Sequence, residues 1–151
     1  MRFLIQRVQN ASVTVDGKIS GSIDNGFLVL IGITNLDTTQ TADTLIKKLI
    51  NLRVFNDSNG KMNLSIKDIN GSLLLVSQFT LYANCKHGNR PSFTDAAKPE
   101  YAKELYNYVV RECKNQEIEV HTGEFGADMK VNLLNEGPVT IMLDSNDLVK
   151  D

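Results

Sequence analysis

A chain of 151 residues with 42% apolar side chains is expected to fold as one domain, 1–151, around a real core, and it is too apolar to be disordered. Its net charge of −2 argues against a protein that coats long nucleic acid through many phosphate contacts, though not against one that grips a few nucleotides at an RNA end. No apolar run approaches the roughly 20 residues that cross a bilayer, and the short stretch Met1–Arg7 has no cleavage site after it, so a cytoplasmic protein with no membrane partner is expected.

Residues 2–8 read as a strand. Val13 and Val15 alternate with Thr14, and Asp16-Gly17 signals a hairpin into a strand near 18–24. Gly26 to Ile33 is nearly all apolar, which suits a strand buried on both faces. The period then changes: Ala42, Leu45, Ile46, Leu49 and Ile50 form the stripe of an amphipathic helix, capped by Asp37 or the threonines after it. Asn56 to Gly60 is a turn cluster. Leu73–Val76 reads as a second buried strand running on into Ser77-Gln78-Phe79-Thr80-Leu81, and 84–98 reads as a polar loop. A second helix starts near Asp95 to Pro99 and carries Ala102, Leu105, Tyr106, Val109 and Val110 as its core stripe. Strands near 117–121, 129–134 and 139–144 complete an α+β chain: mainly antiparallel, barrel-like sheets covered by two principal helices.

Four segments are unusual where they sit. Ser77-Gln78-Phe79-Thr80 ends a buried strand in hydrogen-bonding groups, where free backbone N–H groups can stabilise an oxyanion; the plainer alternative is a capped strand end. Gly123-Glu124-Phe125-Gly126-Ala127-Asp128-Met129 sets Phe125 and Met129 beside a glycine bend, either as a pocket that stacks a base or as a turn packed by its own side chains. Asn135-Glu136-Gly137-Pro138-Val139-Thr140 reads as a turn between two strands. In Lys86-His87-Gly88-Asn89-Arg90-Pro91-Ser92-Phe93 the two cations suit phosphate and Phe93 suits stacking, while a solvated loop accounts for them equally well.

Standard catalytic sets are missing: there is no Gly-x-Ser-x-Gly elbow, phosphate-binding Walker loop, dinucleotide fingerprint or His-Glu-x-x-His helix. Cys85 and Cys113 are too few for a disulfide framework, and with His87 and His121 they lack zinc-ligand spacing, so neither a metal nor a cofactor is expected. Any chemistry then rests on backbone groups or on the substrate. A small-ester hydrolase using Thr80 or Cys85, and a non-enzymatic RNA-end-binding module, are the competing readings.

Together these segments resemble the D-aminoacyl-tRNA deacylase family. Ser77-Gln78-Phe79-Thr80-Leu81 is similar to its Ser-Gln-Phe-Thr motif, and Gly137-Pro138-Val139-Thr140 to its Gly-Pro-Val-Thr motif. Phe125 to Met129 and Gly88 to Phe93 also fit, in order, across Met1 to about Asp144. The tail from Ser145 to Asp151 carries no motif.

The resemblance implies a homodimer that hydrolyses the ester of D-aminoacyl-tRNA, including glycyl-tRNA, with no cofactor. It implies a cis Gly137–Pro138 unit that reaches into the partner's pocket and excludes L-aminoacyl groups, with Arg7 buttressing it. Ser77, Gln78, Phe79 and Thr80 would form the catalytic wall. Phe125 and Met129 would hold the 3′-terminal adenosine, and the 2′-hydroxyl of the tRNA would assist the attacking water. A Thr80 nucleophile is the older alternative; threonine needs an adjacent base.

Overall fold

In a computed structural model that describes residues 1–148, strand β1 runs unbroken from Arg2 to Val15. It takes in both stretches that the sequence separates. Asp16 and Gly17, at φ 50° and 77°, make the left-handed turn that a two-residue hairpin requires, and β2 (Lys18–Ile23) returns antiparallel. Strand β3 (Gly26–Gly32) also pairs antiparallel with β1.

Helix α1 spans Thr39–Asn51. Thr38 caps it in a reciprocal box with Thr41; Asp37 instead turns inward, accepting from the Thr34 N–H at 2.7 Å. The predicted stripe Ala42, Leu45, Ile46, Leu49 and Ile50 is the buried face. A small hairpin, β4 (Phe55–Asn56) and β5 (Met62–Leu64), brackets the Asn56–Gly60 turn cluster. Strand β6 (Ser72–Ser77) follows, then a 3-10 turn (Phe79–Tyr82), helix α2 (Pro99–Asn115) with proline in its first turn, and strand β7 (Glu119–Thr122). Strand β8 (Lys130–Asp144) pairs with β1 along almost its whole length.

The sheet is mixed. The ladders of β1 with β2, β3 and β8 are antiparallel, whereas β3–β6 and β6–β7 are parallel. Parallel neighbours need long crossovers, and α1 and α2 supply them. The two wholly apolar runs, in β3 and β6, are therefore the strands with side chains packed on both faces. Phe27, Val29, Ile31, Leu73 and Leu75 point toward the helices, and Leu28, Leu74 and Val76 point into the barrel. β1 serves both cores by changing face: Phe3 and Ile5 join the helix side, while Val8, Ala11 and Val13 join the barrel side, across register shifts near Val8. Closure brings β2 against β7. Ser20 Oγ donates to the Thr122 carbonyl at 3.2 Å, and a Cβ on Gly21 would lie 2.5 Å from that oxygen, so only glycine permits the approach.

Candidate active site

The sequence reads Asn135–Thr140 as a turn between two strands. Instead β8 is continuous, and the segment is a bulge in it. Gln6 of β1 pairs with Thr140 and Val8 with Asn135, so residues 136–139 face Arg7 alone. The surplus backbone is pushed out of the ladder, and Glu136, Gly137 and Pro138 are exposed. Gly137 has φ +131°, a conformation that L side chains rarely adopt, and the Gly137–Pro138 peptide is cis.

Two side chains secure this bulge. Arg7 is buried; its Nε donates to the Glu136 carbonyl at 3.0 Å and its Nη1 to the Val54 carbonyl at 2.7 Å. Asn135 crosses the neck of the bulge: its Nδ2 donates to Gln6 Oε1 at 2.9 Å, and its Oδ1 accepts from the Val139 N–H at 2.8 Å. Asn135 lies within the segment that the sequence flags, but its stapling role needed the partner strand to be known.

At the other end of the sheet, β6 stops at Ser77. The expected strand extension through Leu81 does not occur, because the chain tightens into the Phe79–Tyr82 turn. The Gln78 N–H is committed to the Ile31 carbonyl at 2.8 Å. The first N–H groups of such a helix have no acceptor within it, which leaves those of Phe79 and Thr80 without a partner inside the turn. Gln78 Nε2 donates to Thr80 Oγ1, so the hydroxyl faces an amide rather than a base. Phe79 is 57% exposed, and the Phe93 ring packs edge-on against it with centroids 5.2 Å apart.

The sequence does not single out Arg2, yet it anchors this turn. Its Nη1 donates to the Leu81 carbonyl at 2.8 Å, its Nε pairs with Asp144 at 2.7 Å, and its guanidinium stacks over Tyr82. Asp144 is held below its ordinary range: burial pushes it up, but the Asn146 N–H and Arg2 outweigh that.

The glycine bend sits next to the same strand end, since the Gly123 N–H donates to the Leu75 carbonyl at 3.3 Å. Phe125 leans on Tyr106, whose hydroxyl donates to the same carbonyl at 2.7 Å. Burial raises that hydroxyl to about 12. Together with Lys103, Asn107 and Lys114 they border a shallow cavity of about 330 Å³. Met129 turns the other way, its sulfur against Gly123 and its body on the barrel core, so the two apolar groups flank the bend from different sides. The histidines and cysteines stay apart: His121 pairs with Glu119 at 2.8 Å, His87 and Cys85 are exposed in the loop, and Cys113 is buried in α2.

The D-Tyr-tRNA(Tyr) deacylase family model matches residues 4–144 of this chain. The chain belongs to that family. Among its relatives, "D-aminoacyl-tRNA deacylase" of Thermosipho africanus is 57% identical over 145 residues, covering 96% of this chain and 97% of that protein. The protein of the same name from Fusobacterium nucleatum is 56% identical over 147 residues, 97% of each chain. A solved structure titled "c-Myc DNA Unwinding Element Binding Protein" superposes with a TM-score of 0.90 at 40% identity, covering 95% of this chain and 98% of that one. A second, titled "Structural Analysis of a probable eukaryotic D-amino acid tRNA deacylase", has a TM-score of 0.78 at 17% identity over 94% and 97%, and shares the fold.

In this member of the deacylase family the Ser77–Thr80 and Gly137-Pro138 segments do not meet within one chain. Ser77 aligns through Ile31 with Phe3, whereas the bulge aligns with Arg7. The offset is roughly 13 Å along the strands at about 3.3 Å per residue, with three strand spacings between them as well. The outer edge of β8 pairs with no strand among the described residues, and Val131, Leu134 and Met142 on β8 are exposed.

Proposed function

We propose that the protein hydrolyses the ester bond of D-aminoacyl-tRNA, releasing the D-amino acid and tRNA, and that it works as a homodimer. The observation that carries this reading is the bulge: an exposed Gly137-Pro138 backbone pinned by Arg7 and Asn135, too far from the Ser77–Thr80 wall of its own chain to share a site with it. A second copy supplies the missing half. A long unpaired edge with exposed apolar residues is the kind of surface that proteins cover.

In this reading the partner's Gly-Pro carbonyls occupy the space that an L side chain needs, so discrimination works by exclusion. Glycine has no side chain to exclude, and glycyl-tRNA is also a substrate. Phe125, at the edge of the cavity beside Tyr106, holds the terminal adenosine, while Met129 supports the glycine bend from the barrel side. Water attacks the ester carbonyl carbon, oriented by the free 2′-hydroxyl of the terminal ribose. The tetrahedral oxyanion accepts hydrogen bonds from the Phe79 and Thr80 N–H groups, and the bond to the 3′ oxygen breaks with the proton passing to that oxygen. No protein nucleophile is required: Thr80 Oγ1 has Gln78 Nε2 as its neighbour and not a base. The work belongs in the cytoplasm, where charged tRNA is used; no helix among the described residues is long and apolar enough to cross a membrane.

Deacylation of D-tyrosyl-, L-tyrosyl- and glycyl-tRNA in parallel tests the reading. Turnover of the D and glycyl esters with strong rejection of the L ester is expected. Equal turnover of both enantiomers would remove the assignment. Light scattering across a dilution series tests the shared site, which a fully active monomer would overturn.

A further inference from the structure

The segment between the Phe79–Tyr82 turn and α2 is not used by the chemistry above. From Ile69 to Thr94 the chain contains no Asp or Glu, and its charged groups are Lys86 and Arg90, with His87 between them. All three side chains are exposed, and none forms an ion pair among the described residues. In a chain of net charge −2 this is a local concentration of positive charge without its own counter-charge.

The loop that carries it is pinned at its base. Asn84 and Ser92 exchange backbone hydrogen bonds of 2.7 and 2.9 Å, and Asn84 Oδ1 accepts from the Lys86 N–H at 3.0 Å. Phe93, the next residue, seats its ring against Phe79. The basic tip is therefore fixed beside the turn that presents the Phe79 and Thr80 N–H groups. A fixed cationic site next to an ester whose leaving group is a polyanion attracts that polyanion. The two cations are also complementary: arginine forks onto phosphate oxygens, while lysine acts as a flexible point charge.

We infer that the Cys85–Pro91 tip is a phosphate clamp. Lys86 and Arg90 neutralise backbone phosphates of the tRNA acceptor end just upstream of the terminal adenosine. The clamp makes the enzyme prefer whole tRNA over a short aminoacyl ester. This rests on the deacylase reading.

The test compares wild type with the Lys86→Ala/Arg90→Ala double variant on D-tyrosyl-tRNA and on D-tyrosyl-adenosine, from 50 to 200 mM salt. A Lys18→Ala/Lys67→Ala pair, also exposed, controls for the change in net charge. Two phosphate contacts at roughly 0.7–0.9 of salt slope each make kcat/KM on tRNA fall about tenfold across that range, and the loop variant loses that share of the slope. At 50 mM salt its kcat/KM on tRNA drops by at least about that factor, through KM, while its activity on D-tyrosyl-adenosine and the control pair stay near wild type. An unchanged salt slope, an equal loss on both substrates, or an equal loss in the control pair would overturn the clamp. Wild type inactive on both D esters would overturn the deacylase reading and the clamp with it; wild type active on both with an indifferent loop variant would overturn the clamp alone.

Discussion

Arg7→Lys separates what the buried guanidinium does from its charge. Arg7 spans two carbonyls from different parts of the chain, Val54 after α1 and Glu136 in the bulge. A lysine keeps the charge but has one ammonium on a narrower reach, and it cannot satisfy both. A hydrogen bond from a charged donor contributes about 1.5–3 kcal/mol, and a carbonyl left buried without a partner costs a further share. The expected loss of stability is therefore about 2–3 kcal/mol, and about 4–6 for Arg7→Ala, which loses both bonds. If the freed partner is Glu136, the bulge loosens. Each 1.4 kcal/mol lost from its positioning lowers discrimination about tenfold, so a drop of about thirty- to a hundredfold in the D-to-L ratio is expected if the whole loss falls on the bulge. Urea unfolding reads the first quantity, at one fixed protein concentration because association adds to apparent stability. Parallel deacylation of D- and L-tyrosyl-tRNA reads the second. A lysine variant with the wild-type unfolding midpoint and an unaltered D-to-L ratio would refute the buttressing argument.

Four further outcomes are expected. Gly137→Ala places a methyl group 2.9 Å from Val139 Cγ2 and 3.0 Å from Arg7 Nη2 at φ +131°, so hydrolysis of the D ester should fall at least about tenfold while thermal unfolding shifts by only a few degrees; wild-type turnover would show that the bulge does not line the site. Thr80→Ala should retain activity to within about tenfold, because the proposed oxyanion donors are backbone groups, whereas a loss of several thousandfold in single-turnover rates would restore the covalent mechanism. Gly26→Ala should give no folded protein, since its Cβ would fall 1.9 Å from the Ser72 carbonyl oxygen; recovery of soluble protein with native circular dichroism would contradict the packing. A thiol reagent should titrate one group per chain in native protein and two in denaturant, because Cys85 is exposed while burial, helped by nearby Glu112, raises the Cys113 thiol to about 12.

Wherever a local rule governs, the chain was legible without its fold. The helical stripes of α1 and α2, the Asp16-Gly17 hairpin and the two apolar strands all follow from side-chain period and turn chemistry within about ten residues. The four motifs identified the family in the same way, because they are read in order along the chain. What the sequence could not decide depends on pairing between distant residues. Parallel β3, β6 and β7 look like any other strands until the crossovers are placed. Asp37 looks like a cap and is an interior acceptor, because Thr38 takes the capping role. The Gly137-Pro138 segment looks like a turn, since nothing nearby says that β8 continues past it. Its character as a bulge exists only relative to Arg7, 130 positions earlier, on a strand that supplies one residue where β8 supplies four. The separation of that bulge from Ser77–Thr80, and with it the case for a site built from two chains, is likewise a property of register. Sequence period records which face a residue turns, but register is set by tertiary pairing between strands far apart in the chain.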